Sequence, residues 1–370
     1  MQVPYLSFDK MNAQVRTESL AAFTRFFDKK WFVLGSEVAE FEKKYAAFSH
    51  AKYCIGVANG LDALTISLRV LGIGRGDEVL VASNSYIATV ISISGAGATP
   101  VFVEPDIRTY NLDPEKLEAA ITSNTKAIMP VHLYGQPCEM DRIMQIAEKY
   151  SLKVVEDNAQ GHAGTFNNQI TGSFGHVNAT SFYPTKNLGA FGDAGAITTD
   201  DQALAEEAAK VRNYGFEKRY YCKYKGINSR LDECQAALLN IKLDYLKEWT
   251  AERQKIASWY NDRLKDIPGL ILPYIHPGAK SVFHIYLIRT PKRDQLQTFL
   301  KQKGIGTLIH YPVPPHLQEA YRDLGFKKGD FPIAEELSET SLSLPLYIGM
   351  TEAEVDYVAE QIKSFCLVYS

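Results

Sequence analysis

Lys186 has an unusual local sequence, because residues 179–195 around it are mostly aromatic, small or glycine residues. No aspartate or glutamate lies within six positions of this lysine on either side. A lysine side chain offers a primary amine, and desolvation lowers its pKa so that the neutral amine can attack a carbonyl group. The local sequence therefore leaves two interpretations open, a lysine that forms a Schiff base and an ordinary surface lysine in a loop.

A second segment that could do chemistry, residues 58–63, follows a short apolar stretch and contains Asn59, Gly60 and Leu61. A helix beginning there would direct unpaired N–H groups at a ligand, and the glycine would allow close backbone approach, which suits a phosphate. The same residues are typical of a helix cap with a turn glycine, and this motif alone favours the cap. The glycine patterns of dinucleotide-binding folds and of P-loops are absent from the sequence.

Acidic residues end another apolar stretch, where Glu156 and Asp157 follow Val154 and Val155, with Gln160 three positions later. A carboxylate at the end of an apolar strand is costly to bury without a partner. The two acids either cap the next helix or face a cationic ligand. The residues alone do not choose between these alternatives.

The elements that would position these side chains alternate from residue 52 onward. Short apolar strands are predicted near residues 53–57, 78–81, 100–103, 126–131, 152–155 and 195–198, with helices between most of them. This alternation predicts an α/β fold with a mainly parallel sheet covered by helices on both faces. Ligands of such sheets bind beyond the carboxyl ends of the strands, so the residues that follow each strand are the candidates for a functional site.

A smaller α/β unit follows a long predicted helix near residues 230–266. Its predicted strands lie near residues 270–273 and 283–287, and a helix lies near residues 293–303. We place the domain boundary inside the long helix. The large domain then comprises residues 1–245, including a helical N-terminal segment, and the small domain comprises residues 246–370.

Composition and charge exclude several classes of protein. The 370 residues are 46% hydrophobic and 22% charged, which predicts a globular chain with a large core rather than disorder. The formal net charge of -3 gives no electrostatic reason to expect nucleic acid or an acidic membrane as the main partner. No apolar run long enough to span a membrane occurs, and residues 1–5 lack the pattern of a signal peptide, so we expect a cytoplasmic protein.

The cysteines and histidines give no sign of a disulfide framework or a metal site. The five cysteines are odd in number and include no Cys-x-x-Cys pair, which favours free thiols. No His-Glu-x-x-His motif and no histidine pair on one helical face is present. We therefore expect no metal.

Four segments of the chain carry a family resemblance. They are residues 35–42 (GSEVAEFE), 155–162 (VEDNAQGH), 181–189 (SFYPTKNLG) and 226–237 (GINSRLDECQAA). Taken in this order, they resemble the DegT/DnrJ/EryC1/StrS family of sugar aminotransferases, and the resemblance covers nearly the whole chain. It implies the aspartate-aminotransferase fold, with pyridoxal 5'-phosphate (PLP) as the cofactor of the large domain.

The resemblance also implies roles for individual residues. Lys186 would form the Schiff base with PLP and transfer protons, and Asp157 would keep the pyridine nitrogen protonated. The phosphate would lie at Gly60, Leu61 and Ser181, and many family members carry a serine or threonine where this chain has Leu61. The other cofactor contacts that the resemblance implies are Tyr86 stacked on the ring, Gln160 at the ring hydroxyl, and Asn228 reaching the phosphate of the neighbouring subunit. Plain core packing is the alternative for Tyr86.

The substrates implied by the resemblance are a nucleotide-linked keto sugar and L-glutamate, on a homodimer with shared active sites. Glutamine at position 160 is typical of family members that act at C-3 of the sugar, whereas histidine is common in those that act at C-4. We therefore expect amino transfer to C-3 of a dTDP-3-keto-6-deoxyhexose, giving a dTDP-3-amino-3,6-dideoxyhexose for glycan biosynthesis. A 4-keto sugar or a cyclitol ketone is the alternative substrate. The candidate sugar-nucleotide contacts are Tyr183, Lys218, Arg219, His310 and Tyr311, for which ordinary structural or solvated roles remain open.

Two further functions are less compatible with the sequence. An NAD-dependent oxidoreductase of nucleotide sugars would need the glycine pattern that the chain lacks. Dehydratase relatives within the family replace the lysine with histidine, and this chain retains Lys186.

Overall fold

A seven-stranded sheet forms the centre of the computed structural model, which describes residues 1–369. The strands are β1 (Tyr53–Val57), β2 (Glu78–Ala82), β3 (Thr99–Val103), β4 (Thr125–Met129), β5 (Lys153–Asp157), β6 (Thr165–Phe166), β7 (Gln169–Ile170), β8 (Val177–Ser181), β9 (Gly195–Thr199), β10 (Phe216–Lys218), β11 (Tyr221–Cys222), β12 (Ala279–Lys280), β13 (Tyr286–Arg289) and β14 (Ser341–Leu344). The helices are α1 (Asp9–Lys29), α2 (Ser36–Phe48), α3 (Gly60–Val70), α4 (Ile87–Ala96), α5 (Pro114–Ala120), α6 (Met140–Lys149), α7 (Gln202–Val211), α8 (Glu233–Leu264), α9 (Arg293–Gln302), α10 (Pro332–Thr340) and α11 (Glu352–Tyr369).

The strand order of the large sheet is β1-β9-β8-β5-β4-β2-β3. Every neighbouring pair is parallel except those that β9 forms with β1 and β8, so the prediction of a mainly parallel α/β sheet is confirmed. A parallel connection needs a crossover, usually a helix. Residues 182–194 instead return from β8 as a loop, and β9 therefore runs antiparallel.

Side chains alternate along the strands and bury both faces of the sheet. In β2, Val79 and Val81 belong to one core with Leu64 of α3, whereas Leu80 belongs to the core on the other face with Ile143 of α6. All five side chains are buried. Burial of a side chain of this size contributes roughly 1.5–3 kcal/mol, so each face of the sheet is held by many such contributions.

The smaller unit packs around the antiparallel pair β13–β14, together with α9, α11 and the second half of α8. Ile256 and Tyr260 of α8 are buried in this core, as is Val3 of the N-terminal segment. Leu239 and Leu246 of the same helix are buried in a different core with residues of the large sheet. The change from one core to the other occurs between Leu246 and Ile256, just after the domain boundary that we propose at residue 245.

Two strands predicted for the smaller unit are shorter in the structure. The predicted strand at residues 270–273 is a single bridge between Ile271 and Arg289, and Pro273, which has no N–H to donate, follows it. The strand predicted at residues 283–287 begins only at Tyr286. The residues just before it instead face the large domain, where the Ile285 N–H donates to the Tyr134 carbonyl.

None of the helices within the described residues combines the length and the apolar character that crossing a membrane requires. No group of three or more histidines, cysteines, aspartates or glutamates within residues 1–369 could hold a metal ion.

Candidate active site

A cavity of about 310 Å³ lies where the carboxyl ends of β1, β5 and β8 meet. Nine of the residues predicted from the sequence line it: Gly60, Tyr86, Asp157, Gln160, Ser181, Tyr183, Lys186, His310 and Tyr311. The four others, Leu61, Lys218, Arg219 and Asn228, are absent from the lining. The fold therefore brings together segments that are 251 positions apart in the chain, since Gly60 and Tyr311 both line the cavity.

Lys186 and Asp157 dominate the electrostatics of this cavity. Burial lowers the pKa of Lys186 to about 8, and the charge of Asp157 acts in the opposite direction. Burial raises the pKa of Asp157, whereas hydrogen bonds and the charge of Lys186 lower it. A lysine with a pKa near 8 has an appreciable neutral fraction at physiological pH, which is the form that attacks a carbonyl group.

The Asp157 carboxylate is held in place by two donors. The Thr89 hydroxyl donates to Oδ2 at 2.8 Å, and the Ala159 N–H donates to Oδ1 at 3.1 Å. Thr89 lies in the first turn of α4 and is buried. Thr89 was not singled out from the sequence, and the available signal was a polar residue in the first turn of a largely apolar helix that starts at the carboxyl edge of the sheet.

The N-terminus of α3 lies against the end of β8. The Asn59 side chain caps the helix by accepting the Asp62 N–H at 2.8 Å, so the cap favoured by the sequence exists. The first hydrogen bond within the helix runs from the Ala63 N–H to the Asn59 carbonyl at 3.1 Å, so the N–H groups of Gly60 and Leu61 remain for an anion. A Cβ on Gly60 would lie 2.5 Å from Cβ of Ser181, so only glycine permits this close approach.

These groups fit the PLP cofactor that the family resemblance implies. The cavity supplies an amine with a lowered pKa for the aldehyde and a buried carboxylate for the ring nitrogen. The start of α3 supplies N–H donors for the phosphate. The cap and the phosphate site are compatible with each other, because the cap uses the N–H of Asp62 and leaves the two preceding N–H groups unused.

Gln160 is fixed in orientation by two hydrogen bonds. Its Oε1 accepts the Tyr134 N–H at 2.5 Å, and its Nε2 donates to the Tyr311 hydroxyl at 3.1 Å. A primary amide has two N–H hydrogens, so one remains for a ligand in the cavity. Since the Tyr311 oxygen accepts from Gln160, its own O–H is free to donate elsewhere.

Three histidines near Lys186 are held neutral. Burial is the main cause, and the charge of Lys186 adds to it, lowering the pKa of His162 to about 3 and that of His310 to about 4. The pKa of His284 is lowered well below its ordinary value for the same reasons. Neither His162 nor His284 was given a role from the sequence, although His162 ends one of the four segments that carry the family resemblance. Because these rings stay uncharged, Lys186 is the basic group of the cavity that titrates near neutral pH.

Tyr86 stands at the mouth of the cavity rather than in a core. Its side chain is 48% exposed, and its ring lies 5.0 Å from the Tyr311 ring, measured between centroids. Plain core packing therefore does not account for this tyrosine. Tyr183 is also largely exposed at the same cavity.

The four predicted residues outside the lining occupy three places. Leu61 follows Gly60 in the first turn of α3. Lys218 and Arg219 lie on or next to the short hairpin β10–β11, with their cationic groups 4.3 Å and 5.0 Å from the ring centroids of Tyr221 and Tyr220. Asn228 pairs with the backbone of Asn213 in an isolated bridge.

The lowered pKa of Lys186 predicts how capture of PLP by the cofactor-free protein depends on pH. The rate should rise with pH and level off above about 8, because the neutral amine then predominates. Stopped-flow absorbance of Schiff-base formation between about pH 6.5 and 10 measures this rate. Free Nα-acetyl-lysine, whose pKa is about 10.4, is the control, and a protein rate that keeps rising alongside it would contradict the prediction.

Comparison with known proteins gives consistent findings along the whole chain. The model of the DegT/DnrJ/EryC1/StrS aminotransferase family matches residues 13–363. A curated relative from Aneurinibacillus thermoaerophilus, named dTDP-3-amino-3,6-dideoxy-alpha-D-galactopyranose transaminase, is 49% identical over 98% of this chain and 99% of its own length.

Solved structures are similar over the same extent. The structure of DesV from S. venezuelae in complex with a ketimine intermediate has a TM-score of 0.97 and 42% identity, covering 99% of this chain and 98% of that one. NtdA from Bacillus subtilis with bound cofactor PMP has a TM-score of 0.92 and 32% identity, covering 99% of this chain and 85% of that one.

Proposed function

Since the chain belongs to the DegT/DnrJ/EryC1/StrS aminotransferase family, we propose that it transfers the amino group of L-glutamate to C-3 of a dTDP-linked 3-keto-6-deoxyhexose. The product is a dTDP-3-amino-3,6-dideoxyhexose, a building block for glycans. One observation gives the strongest support to this proposal. Lys186, with its pKa lowered to about 8, shares a cavity with a buried carboxylate and the N-terminus of a helix, in a chain that matches a named 3-aminosugar transaminase from end to end.

The cofactor of this family is PLP, which supplies an electron sink that lets an amino group pass from one carbon to another. Lys186 Nζ provides the covalent attachment and then accepts and returns the proton at the reacting carbon. Asp157 holds a proton on the ring nitrogen, and Thr89 and Ala159 keep its carboxylate in position. Because the low pKa values of His162 and His310 keep these rings neutral, they do not compete with Lys186 as acids.

The remaining cofactor contacts follow from the donors that the chain offers. The backbone N–H groups of Gly60 and Leu61, with the Ser181 hydroxyl, bind the phosphate. Leu61 has no hydroxyl, so the backbone carries more of this contact than in relatives with serine or threonine. Tyr86 would cover the ring at the open side, and the unused N–H of Gln160 would be available to the ring hydroxyl.

The sugar binds at the mouth of the cavity, next to Tyr183, His310 and Tyr311. His310 Nδ1 forms a hydrogen bond with the Ser343 hydroxyl at 2.8 Å. This bond fixes the imidazole ring and leaves Nε2 for a ligand. The free O–H of Tyr311 and the exposed O–H of Tyr183 are donors suited to sugar hydroxyl and carbonyl oxygens. These contacts support a polar, uncharged substrate group in this part of the site.

A substrate panel tests the proposed function. The purified enzyme is assayed with glutamate and, in turn, a dTDP-3-keto-6-deoxyhexose, a dTDP-4-keto-6-deoxyhexose, a UDP-linked 3-keto sugar and a cyclitol ketone. We expect 2-oxoglutarate to form fastest with the dTDP-3-keto sugar, and the reverse reaction with 2-oxoglutarate and the 3-amino sugar to be measurable. Preferred turnover of the 4-keto sugar would replace the proposal with the alternative substrate.

We also propose that the enzyme is a homodimer with shared active sites. An N-terminal apolar cluster supports this, since its members are 44–62% exposed: Leu20, Phe23, Phe27, Trp31, Phe32 and Val33. Contiguous exposed apolar surface of this kind is typical of protein interfaces. The positions of Asn228, Lys218 and Arg219 outside the cavity of their own chain also support it, because a second copy could present them to that cavity.

Mixed dimers of two inactive variants test the shared site. Lys186→Ala removes the amine of one chain, and Asn228→Ala removes the residue proposed to serve the other chain. Mixing restores one complete site in each mixed dimer, so we expect about a quarter of wild-type activity from random pairing. Self-contained sites would give no recovery, which would contradict the proposal.

A further inference from the structure

The loop that carries Lys186, residues 182–194, joins β8 to β9 without regular secondary structure. Its shape therefore depends on individual contacts. The Lys186 N–H donates to the Tyr183 carbonyl at 2.8 Å and closes a turn. At the end of this turn, Gly189 lies so close to Pro184 that a Cβ on it would be 2.2 Å from the Pro184 carbonyl oxygen.

Lys242 of α8 contacts this turn from the protein interior. Its Nζ donates to the Gly189 carbonyl at 2.7 Å and lies 3.9 Å from the centroid of the Phe191 ring. The side chain is only 2% exposed. Within residues 1–369, no carboxylate oxygen lies within 4.0 Å of this amine.

A buried ammonium group without a carboxylate is costly for the fold. Desolvation is the cause that lowers the pKa of Lys242 to about 8. A methionine would fill a similar volume without this cost, so packing does not account for a lysine here. Unlike methionine, lysine supplies an N–H donor that reaches the carbonyl of Gly189, three residues after Lys186.

Other anchors hold the same loop at neighbouring positions. The Leu188 N–H donates to His162 Nδ1 at 3.1 Å, and the Asn187 side chain donates to the Val282 carbonyl at 3.1 Å. Lys242 adds an anchor on the carbonyl side of the turn. Three successive residues after Lys186 are thus each tied to a different part of the protein.

We propose that Lys242 is a positioning residue for Lys186: its amine fixes the Gly189 carbonyl and so holds the turn that presents Lys186 Nζ to the cofactor. This inference rests on the proposed attachment of PLP to Lys186. Lys242 does not touch the reacting atoms and takes part in no bond-forming step. Its removal should loosen the lysine loop and weaken cofactor capture while leaving the rest of the fold intact.

The test compares Lys242→Met with Lys255→Met. Lys255 is exposed on the same helix and lies over an aromatic ring, at 5.1 Å from the Trp259 centroid, so it is a matched control. We expect Lys242→Met to bind PLP about ten-fold more weakly and to form the Schiff base more slowly, because a displaced nucleophile reacts less often. The Kd from absorbance titration and the fraction fixed to Lys186 by borohydride are the measurements. The thermal midpoint of the cofactor-free variant should match that of the control.

Two results would overturn the inference. The first is a Kd for PLP in Lys242→Met that equals the Kd of the control. The second is weaker PLP binding that comes with an equal loss of thermal stability in the cofactor-free variant. Should Lys242→Met fail to fold, Lys242→Gln replaces it. The glutamine side chain ends about 1.5 Å short of the Gly189 carbonyl, so this variant should weaken PLP binding in the same way. If Lys242→Gln binds PLP with wild-type affinity, the inference about Lys242 is overturned and the proposed function is unaffected. If the wild-type protein binds no PLP, the proposed function is contradicted as well.

Discussion

Replacement of Lys186 by alanine is expected to lower kcat by about 10⁴-fold or more, because one side chain provides both the covalent attachment and the proton transfer. No histidine that lines the cavity can take over as a base of matched pKa, since burial lowers the pKa of His310 to about 4 and that of His284 well below its ordinary value. PLP should still bind through its phosphate at the start of α3. Turnover with glutamate and the keto sugar is the first measurement.

Borohydride reduction gives the second measurement for this variant, because it fixes PLP to the lysine that carries it. The wild-type protein should be labelled at Lys186, and Lys186→Ala should not be labelled. Lys242 is the strongest competitor, since its pKa is also lowered to about 8, but its amine is engaged by the Gly189 carbonyl and lies outside the cavity lining. Label on Lys242 in the wild-type protein, or activity of Lys186→Ala above about 1% of wild type, would contradict the assignment.

The sheet was largely predictable from the sequence because local patterns determine it. Apolar runs separated by helical segments predict parallel strands buried on both faces, and Val79, Leu80 and Val81 are divided between two cores in this way. The direction of β9 was not predictable from such patterns. It depends on a loop whose course is set by contacts with α8 and the small unit, such as those of Lys242 and Asn187.

The two acids at the end of β5 illustrate what local sequence leaves open. Successive side chains of a strand point to opposite faces, so Glu156 and Asp157 must differ in environment. Asp157 faces the cavity, whereas Glu156 bonds to His132 Nε2 at 2.7 Å and accepts the Phe174 N–H at 2.6 Å. The alternation was predictable, but which acid faces a ligand depends on the strands and loops packed on each side.

The side chains that support the site were the hardest to predict. Thr89 bonds to a carboxylate 68 residues away, and His162 accepts the N–H of a residue 26 positions later. Nothing in the local sequence of either residue indicates its partner. The roles of Asn228 and the basic hairpin residues come from the family resemblance, and they stay proposals because they concern a second copy of the chain.

Asp157→Asn is expected to lower kcat by about 10²–10³-fold while PLP stays bound, a loss typical of removing one preorganised charged group. Asparagine keeps the shape of the side chain. The Ala159 N–H can still donate to Oδ1, and the Thr89 hydroxyl can turn to accept from the new amide, because a hydroxyl group both donates and accepts. The negative charge that holds a proton on the ring nitrogen is lost, so the pKa of that nitrogen falls. Each pKa unit of this fall corresponds to about 1.4 kcal/mol less stabilisation of the protonated form. Turnover, and the absorbance of bound PLP in the same samples, measure the two effects separately.

Thr89→Val is the graded comparison, because it keeps the Asp157 charge and removes only the donor to Oδ2. Its loss of kcat should be about ten-fold, the value of one hydrogen bond to a charged group. The Thr89 hydroxyl lowers the pKa of Asp157, so its removal should raise that pKa further. The carboxylate then takes up its proton at a higher pH, and activity should fall earlier than in the wild type as the pH decreases. Wild-type turnover by Asp157→Asn, or a larger loss in Thr89→Val than in Asp157→Asn, would show that the charge of Asp157 is not what the reaction needs.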